Sequence, residues 1–566
     1  KRMKTINKFF SSILIMFLGL SVVSCTDGND WGLDSAFDRL FGVGEDDITV
    51  ETTATTATVT FSAMSATKDS LYFVIEVSKD SLYDEIAMGG ERAKVFGLNK
   101  EIRKSPVVLT GLDGDSKYYM RIKTMSDTKA ESKWVYYKDG ESFKTQAEQI
   151  FDEVLADDYT DSEVTLRWNA PADSVTNILV VQGTDTTDYV LTETDKAEQT
   201  HTFTGLTPLT TYTFIIYNGE AKRGTQTVTT SAAPPAASYT EYLDADIERF
   251  NQALMDEILA KAQAATGSGN VSVTIVFPAD KTIEVIGDDT QSDPGALTVP
   301  DGMSVNFFGR GGGETPVLRL LKSIDIAGSH NFITFQHLKI VDDGSGANYL
   351  INQSKACTVD KIEFTDCEVS GMKNTFFRLQ GSEAKVINNL VIENCLMHDL
   401  GAGYSFIHVD DNGNQAVYVN NIKMTNSTFW NICVTGKTFI YSEKVNMNSI
   451  YMEYCTFYNN NGSGQYFIDF NDKTYGPETF SVFNCVFGKT PDEATNKNIR
   501  AKIEPEVVNS YCASDFYKSK GFPNITILDY TSDKLFVDPA NADFHFISGT
   551  LDNSGAGDPR WWPAAE

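Results

Sequence analysis

Ile362-Glu363-Phe364-Thr365-Asp366-Cys367 returns four times along the chain, as Leu390-Val391-Ile392-Glu393-Asn394-Cys395, Ile422-Lys423-Met424-Thr425-Asn426-Ser427, Ile450-Tyr451-Met452-Glu453-Tyr454-Cys455 and Phe480-Ser481-Val482-Phe483-Asn484-Cys485. The last residues of successive copies stand 28, 32, 28 and 30 positions apart. A short strand recurring at such a period is the mark of a solenoid. One repeat cannot bury its apolar side alone, so each stacks on the one before, with parallel strands about 4.8 Å apart. Side chains alternate along a strand, which sends Glu363, Glu393, Lys423 and Glu453 outward and the Ile and Met positions inward. Cys367, Cys395, Cys455 and Cys485 share one position of successive turns, interrupted by Ser427, and predict a column of small buried hydrophobes. Zinc would want its ligands clustered at short spacing, and a disulfide framework would not repeat with the coil. A Cys367–Cys395 bridge is the alternative that stays open.

Upstream, Thr274-Ile275-Val276-Phe277-Pro278-Ala279-Asp280 resembles the opening coil of pectate-lyase-like folds, and Val305-Asn306-Phe307-Phe308-Gly309 begins another coil. The column Asp366, Asn394, Asn426 and Asn484 is similar to the stacked asparagine ladder of β-helix turns and is read as structural. Ile247, Phe250, Leu254 and Ile258 recur at helical spacing, predicting one amphipathic helix that covers the exposed edge of the first coil. At the far end, Leu535-Phe536-Val537-Asp538-Pro539, Asp543-Phe544-His545-Phe546 and Gly557-Asp558-Pro559-Arg560-Trp561 resemble the last coils of a β-helix lipoprotein family from gut polysaccharide-utilisation systems, whose members are mostly of unknown function.

Ahead of the linker Ser231-Ala232-Ala233-Pro234-Pro235-Ala236-Ala237-Ser238 the pattern changes to short alternating strands. Ala57-Thr58-Val59-Thr60-Phe61, Tyr72-Phe73-Val74-Ile75-Glu76-Val77 and Tyr118-Tyr119-Met120-Arg121-Ile122 make one all-β sandwich pattern. Leu206-Thr207-Pro208-Leu209-Thr210-Thr211-Tyr212 matches the L-x-P-x-T-x-Y corner of fibronectin type III domains, with Trp168 as the early-strand core tryptophan, and Leu112 and Tyr118 repeat that corner in the first module. Neither module holds a catalytic constellation. Their expected role is reach, with sugar binding by one of them as the alternative.

Lys1, Arg2, Lys4 and Lys8 are the only charges before an apolar stretch at residues 13–23, too short for a comfortable membrane span and suited to a signal h-region. Val22-Val23-Ser24-Cys25 resembles a bacterial lipobox, which implies cleavage before Cys25 and its acylation; an ordinary secretory signal is the alternative. Asp27 and Asp30 resemble the acidic surface-export signal of Bacteroidetes-type lipoproteins. The resemblance implies an outer-membrane, lipid-anchored protein exposed at the cell surface, or on the periplasmic face in the alternative, with outer-membrane glycan-uptake proteins as partners.

The predicted chain is all-β: two fibronectin type III-like sandwiches followed by a right-handed parallel β-helix with an N-terminal capping helix. Its expected segments are a signal peptide at 1–24, a tether at 25–48, sandwiches at 49–146 and 147–232, a linker at 233–242 and the β-helix at 243–566. Without the four basic residues of the signal, 43 basic residues stand against 77 acidic ones, a net charge of −34. Such a chain repels nucleic acid and anionic lipid, and an acidic polysaccharide would have to be met by a local cluster of cations or by bound Ca²⁺.

A second recurring strand places the expected ligand. Tyr349-Leu350-Ile351-Asn352, Phe376-Phe377-Arg378-Leu379, Phe406-Ile407-His408-Val409, Phe439-Ile440-Tyr441-Ser442 and Phe467-Ile468-Asp469-Phe470 are apolar at the second position, which marks the inside. Parity then turns Phe376, Arg378, Phe406, His408, Phe439, Tyr441 and Asp469 outward, as an aromatic ladder beside polar groups suited to glycan binding. Two other readings stay open: a Phe column covered by a loop or neighbouring domain, and a bulge that swaps the faces. Gln380, Asp410, Glu443 and Asn471 follow two positions on, with Lys444 and Lys473 close by.

Non-catalytic binding of an acidic, pectin-type polysaccharide is the leading functional expectation. As an alternative, a pectate-lyase-like enzyme would use Lys444 or Arg378 as the base for β-elimination of a uronic acid. Asp410, Glu443 and Asp469 are the candidate ligands for Ca²⁺, the one cofactor in view. A paired-carboxylate hydrolase and a structural adhesin complete the set.

Overall fold

The computed structural model describes residues 39–62, 71–155, 158–344, 346–410, 416–517 and 522–563. The signal, Cys25, Asp27 and Asp30 lie outside the described residues. Two compact units divide between Glu148 and Gln149.

In the first unit, strands Thr49–Thr52, Thr56–Thr60 and Val107–Thr110 form one antiparallel sheet, and Ala93–Phe96, Leu71–Ser78 and Lys117–Ser126 form the spine of the other. Val59, Leu109, Phe73, Ile75, Tyr118 and Ile122 meet in the core between them. The Tyr118 hydroxyl accepts the Asp113 N–H at 2.9 Å. The second sandwich pairs Glu163–Arg167 with Thr200–Thr204 and sets against them the strands Asp185–Val190, Asn177–Gln182, Thr211–Asn218 and Ala221–Thr229. Trp168 is buried at its centre, and the Tyr212 hydroxyl accepts the Thr207 N–H at 2.9 Å. Both modules thus lock the same corner in the same way, as expected of fibronectin type III-like sandwiches.

The second unit continues into a parallel β-helix with three sheets. Among the described residues the first sheet has ten strands, from Tyr239–Tyr242 to Glu506–Val508; the second has eleven, from Arg249–Phe250 to Thr526–Ile527; the third has eight, from Leu297–Val299 to Lys497–Arg500. The repeated hexamers stack in register, with Ile362 beside Leu390, then Ile422, Ile450 and Phe480. Two boundaries differ from the sequence reading. Tyr239–Tyr242, placed in the linker, pairs with Val273–Val276 as the solenoid's first strand. The capping helix spans Gln252–Thr266, so Ile247 and Phe250 precede it. Asn251 caps it by accepting the Leu254 N–H, Gly267 ends it in the left-handed region, and Met255, Ile258 and Ala262 are buried in the solenoid core.

The corner between the first and second sheets explains the asparagine column. Asp366, Asn394, Asn426, Tyr454 and Asn484 all have φ between 51° and 53°. Asn and Asp tolerate that left-handed conformation better than most residues, and the Asn394 amide donates to the Asp366 carboxylate one coil back. The neighbouring cysteines are free and buried. The thiols of Cys367, Cys395 and Cys455 donate to Phe335 O, Phe364 O and Met424 O, each at 3.4 Å. Ser427 takes the same position and keeps its hydroxyl paired, donating to Thr425 O at 2.7 Å.

The C-terminal segment decides which faces stay open. Phe536 and Phe544 pack with Trp430, Tyr458 and Val486, so the outer side of the second sheet is covered there. The Trp561 indole and the Asp558 carboxylate both bond the Thr428 hydroxyl, at 2.7 Å each.

Candidate functional site

On the third sheet, Asn352 pairs with Arg378, Arg378 with His408, His408 with Tyr441, Tyr441 with Asp469 and Asp469 with Arg500. The strands that carry them place Phe377 and Leu379 inside and Arg378 between them outside; Ile407, His408 and Val409 repeat the order. Sequence parity thus locates Arg378, His408 and Tyr441 on one outward column.

It does not locate the phenylalanines. Phe376, Phe406 and Phe439 are 0% exposed, which corrects the expected aromatic ladder on the surface. They stand where the coil enters the third sheet; Phe406 and Phe439 precede the strands Ile407–Val409 and Ile440–Ser442. Strict alternation holds only in an extended run, and here the chain is turning. The carbonyls of Phe406 and Phe439 still accept the N–H groups of Phe377 and Ile407, both at 3.1 Å, while the rings swing into the core. Phe376, Phe406, Phe439 and Phe467 stack at 4.8, 4.9 and 4.9 Å; Phe376 meets Phe364 edge-on, and Phe439 meets Phe429 and Phe457 edge-on.

The aromatic partner of the polar column is instead Tyr404, from the loop before it. The Arg378 guanidinium lies 3.8 Å from its ring centre, His408 meets it edge-on at 5.1 Å, and His408 stacks on Tyr441 at 5.0 Å. Burial, reinforced by the charge of Arg378, holds the His408 imidazole down to about 4, so it is neutral at pH 7. Burial and the nearby Glu443, Asp469 and Asp410 push the Tyr441 hydroxyl well above its usual range. Arg378 Nε and His408 Nδ1 are buried with no hydrogen-bond partner among the described residues. The column therefore offers one delocalised cation, two neutral donor–acceptor groups and a flat ring.

The acidic residues fall elsewhere. Asp469 is buried in a two-pronged ion pair with Arg500, at 2.6 and 2.7 Å, and is not free for a sugar. Asp410, Glu443 and Asp469 do not assemble into a calcium site: the described residues contain no group of three or more His, Cys, Asp or Glu able to hold a metal. Two of the three share one network through Asn471, whose side-chain amide donates to Glu443 at 3.4 Å and whose backbone N–H donates to Asp469 at 2.7 Å, while Asp469 is held by Arg500. Lys444 lies two residues past Ser442 with its backbone in the left-handed region, and its charge adds to the Thr474 hydrogen bonds that lower the Asp472 carboxyl. Tyr404 and Arg500 were missed by the sequence reading. Arg500 could have been found, because Ile499-Arg500 continues the in–out order of Ile468-Asp469; Tyr404 lies in a loop with no period to read.

A family model described as a domain of unknown function (DUF5123) matches residues 450–561. No curated protein matches the chain. Among solved structures, the chain is similar to a two-domain fibronectin type III segment of chicken tenascin, at 19% identity over 33% of this chain and 99% of that one, with a TM-score of 0.21. It is also similar to the chicken interferon gamma receptor alpha chain, at 9% identity over 34% of this chain and 98% of that one, with a TM-score of 0.18. Strand order and tyrosine corners mark the sandwiches as fibronectin type III-like, and a parallel β-helix follows them in the chain.

Proposed function

We propose that the chain is a lipid-anchored surface protein that binds an acidic, pectin-type polysaccharide on the third face of its β-helix. The observation that carries this reading is Arg378: a guanidinium stacked on Tyr404, in register with neutral His408 and Tyr441, and in no ion pair among the described residues. A guanidinium takes a carboxylate through two parallel hydrogen bonds, and the Tyr404 ring fixes its plane in advance. On a chain of formal net charge −30, a uronate needs such a local cation. The anchor would be Cys25, the sandwiches would supply reach from an outer membrane, and glycan-uptake proteins of that membrane would be the partners.

Lyase chemistry is the second reading, favoured by the unpartnered His408 nitrogen beside Arg378. Neutral His408, rather than Lys444, would then take the proton next to the carboxylate that Arg378 neutralises.

The test is affinity electrophoresis of the soluble mature chain in pectin, alginate and glycosaminoglycan gels, with new unsaturated ends followed by absorbance. Retention in at least one acidic gel, reduced about tenfold or more by Arg378→Ala, is the expected result. Equal retention of wild type and Arg378→Ala would remove this face as the site. Unsaturated ends that vanish in His408→Ala would select the lyase.

A further inference from the structure

The outer side of the first sheet carries a groove of about 730 Å³, separate from the third face. Three adjacent coils build it as a grid. Asn389, Asn421 and Ser449 form one row, Val391, Lys423 and Tyr451 the floor, and Glu393, Thr425 and Glu453 the opposite row. The first row is interlocked: the Asn421 amide donates to Asn389 Oδ1 at 3.2 Å, and Ser449 donates to Asn421 Oδ1 at 2.8 Å. Those contacts fix which way each amide points. On the other side the Tyr451 hydroxyl donates to Glu453 at 2.7 Å, and Lys423 is 3.7 Å from Glu393.

One group in the grid is unsatisfied. Thr425 is 5% exposed, and its hydroxyl has no hydrogen-bond partner among the described residues. Buried hydroxyls are nearly always paired, because leaving one unpaired forfeits the water it gave up on folding. The Ser427 hydroxyl, two residues on, is paired with the backbone, so the local fold is able to satisfy such a group and does not do so at Thr425. The Thr425 side chain lines the groove, where a guest hydroxyl would complete it.

We propose that this groove is a second saccharide site, for a neutral sugar chain. Glu393 and Glu453 flank a single Lys423, so the local field opposes a uronate, whereas carboxylates and oriented amides accept and donate to sugar hydroxyls. Tyr451 on the floor offers a flat ring to the apolar side of a sugar, and coils about 4.8 Å apart present the groups at a repeating spacing that suits a polymer. No residue is shared with the third face, so the site stands or falls independently of the Arg378 reading.

Titration calorimetry of the soluble mature chain with cellohexaose, xylohexaose, mannohexaose and galactohexaose tests it. At least one should bind, with affinity lowered about tenfold or more by Tyr451→Ala and several-fold by Thr425→Val, and unchanged by Arg378→Ala. Thr425→Val is nearly isosteric, so its melting temperature should hold or rise while binding falls. That opposition is the signature of a hydroxyl serving a ligand. Failure of all four sugars to bind, binding indifferent to both groove variants, or a clear drop in the Thr425→Val melting temperature would overturn the proposal. Loss of neutral-sugar binding in Arg378→Ala would also overturn it, by moving the site to the third face.

Discussion

Phe406→Ala separates a buried ladder from a sugar platform. The ring is 0% exposed, stacked between Phe376 at 4.8 Å and Phe439 at 4.9 Å, and edge-on to Phe429 at 5.9 Å. Returning a fully buried Phe side chain to water costs about 3 kcal/mol, and the cavity left between rigid coils adds to it. Each stacked pair contributes roughly 0.5–1.5 kcal/mol beyond burial, which puts the loss in the upper half of the usual 3–5 kcal/mol for such truncations, at about 4–5 kcal/mol. Phe406→Leu refills most of the volume and should cost only about 1–2 kcal/mol. A solenoid can open coil by coil, so hydrogen exchange is the better assay than a single melting temperature. The amides of Phe377 and Ile407, which bond Phe406 O and Phe439 O, should lose protection in Phe406→Ala and largely keep it in Phe406→Leu. Unchanged protection in Phe406→Ala together with lost glycan retention would refute the reasoning, because it would mean that the ring faces the ligand.

Four other outcomes are expected. Because His408 titrates near pH 4 in the folded chain and near 6.5 when unfolded, the unfolded state binds the extra proton between those values. Stability should therefore fall by about 3 kcal/mol as pH drops from 6.5 to 4, and thermal melts of His408→Gln should lack that component; parallel wild-type and variant profiles would contradict it. The seven described cysteines should all be alkylated after unfolding without reductant, and two or more disulfides found by mass analysis would exclude the thiol column. Cys395→Asp should destabilise by several kcal/mol in chemical denaturation, since it buries an unpaired charge. Cys25→Ala should move the protein from membranes to the soluble fraction if Cys25 is the anchor, and unchanged partitioning would reject that proposal.

The sequence by itself determined the solenoid, its register and its corners. One hexamer returning at coil length leaves a single way to stack Ile362, Leu390, Ile422, Ile450 and Phe480, and the Asn column at a left-handed corner follows from backbone sterics. Parity inside a strand also located Arg378, His408 and Tyr441 correctly on the outside. Tertiary structure alone decided the rest, because those features depend on where strands end and on what lies across from them. Phe376, Phe406 and Phe439 turn inward since they stand at a corner, where alternation lapses and the core can take a ring. Arg500 claims Asp469 from the next coil, Tyr404 reaches Arg378 from a loop without periodicity, and Phe536 and Phe544 close the second face from the far end of the chain. Local pattern reports the direction of a side chain within its own strand; which groups meet is set by contacts between coils and with the C-terminal segment, which no local period encodes.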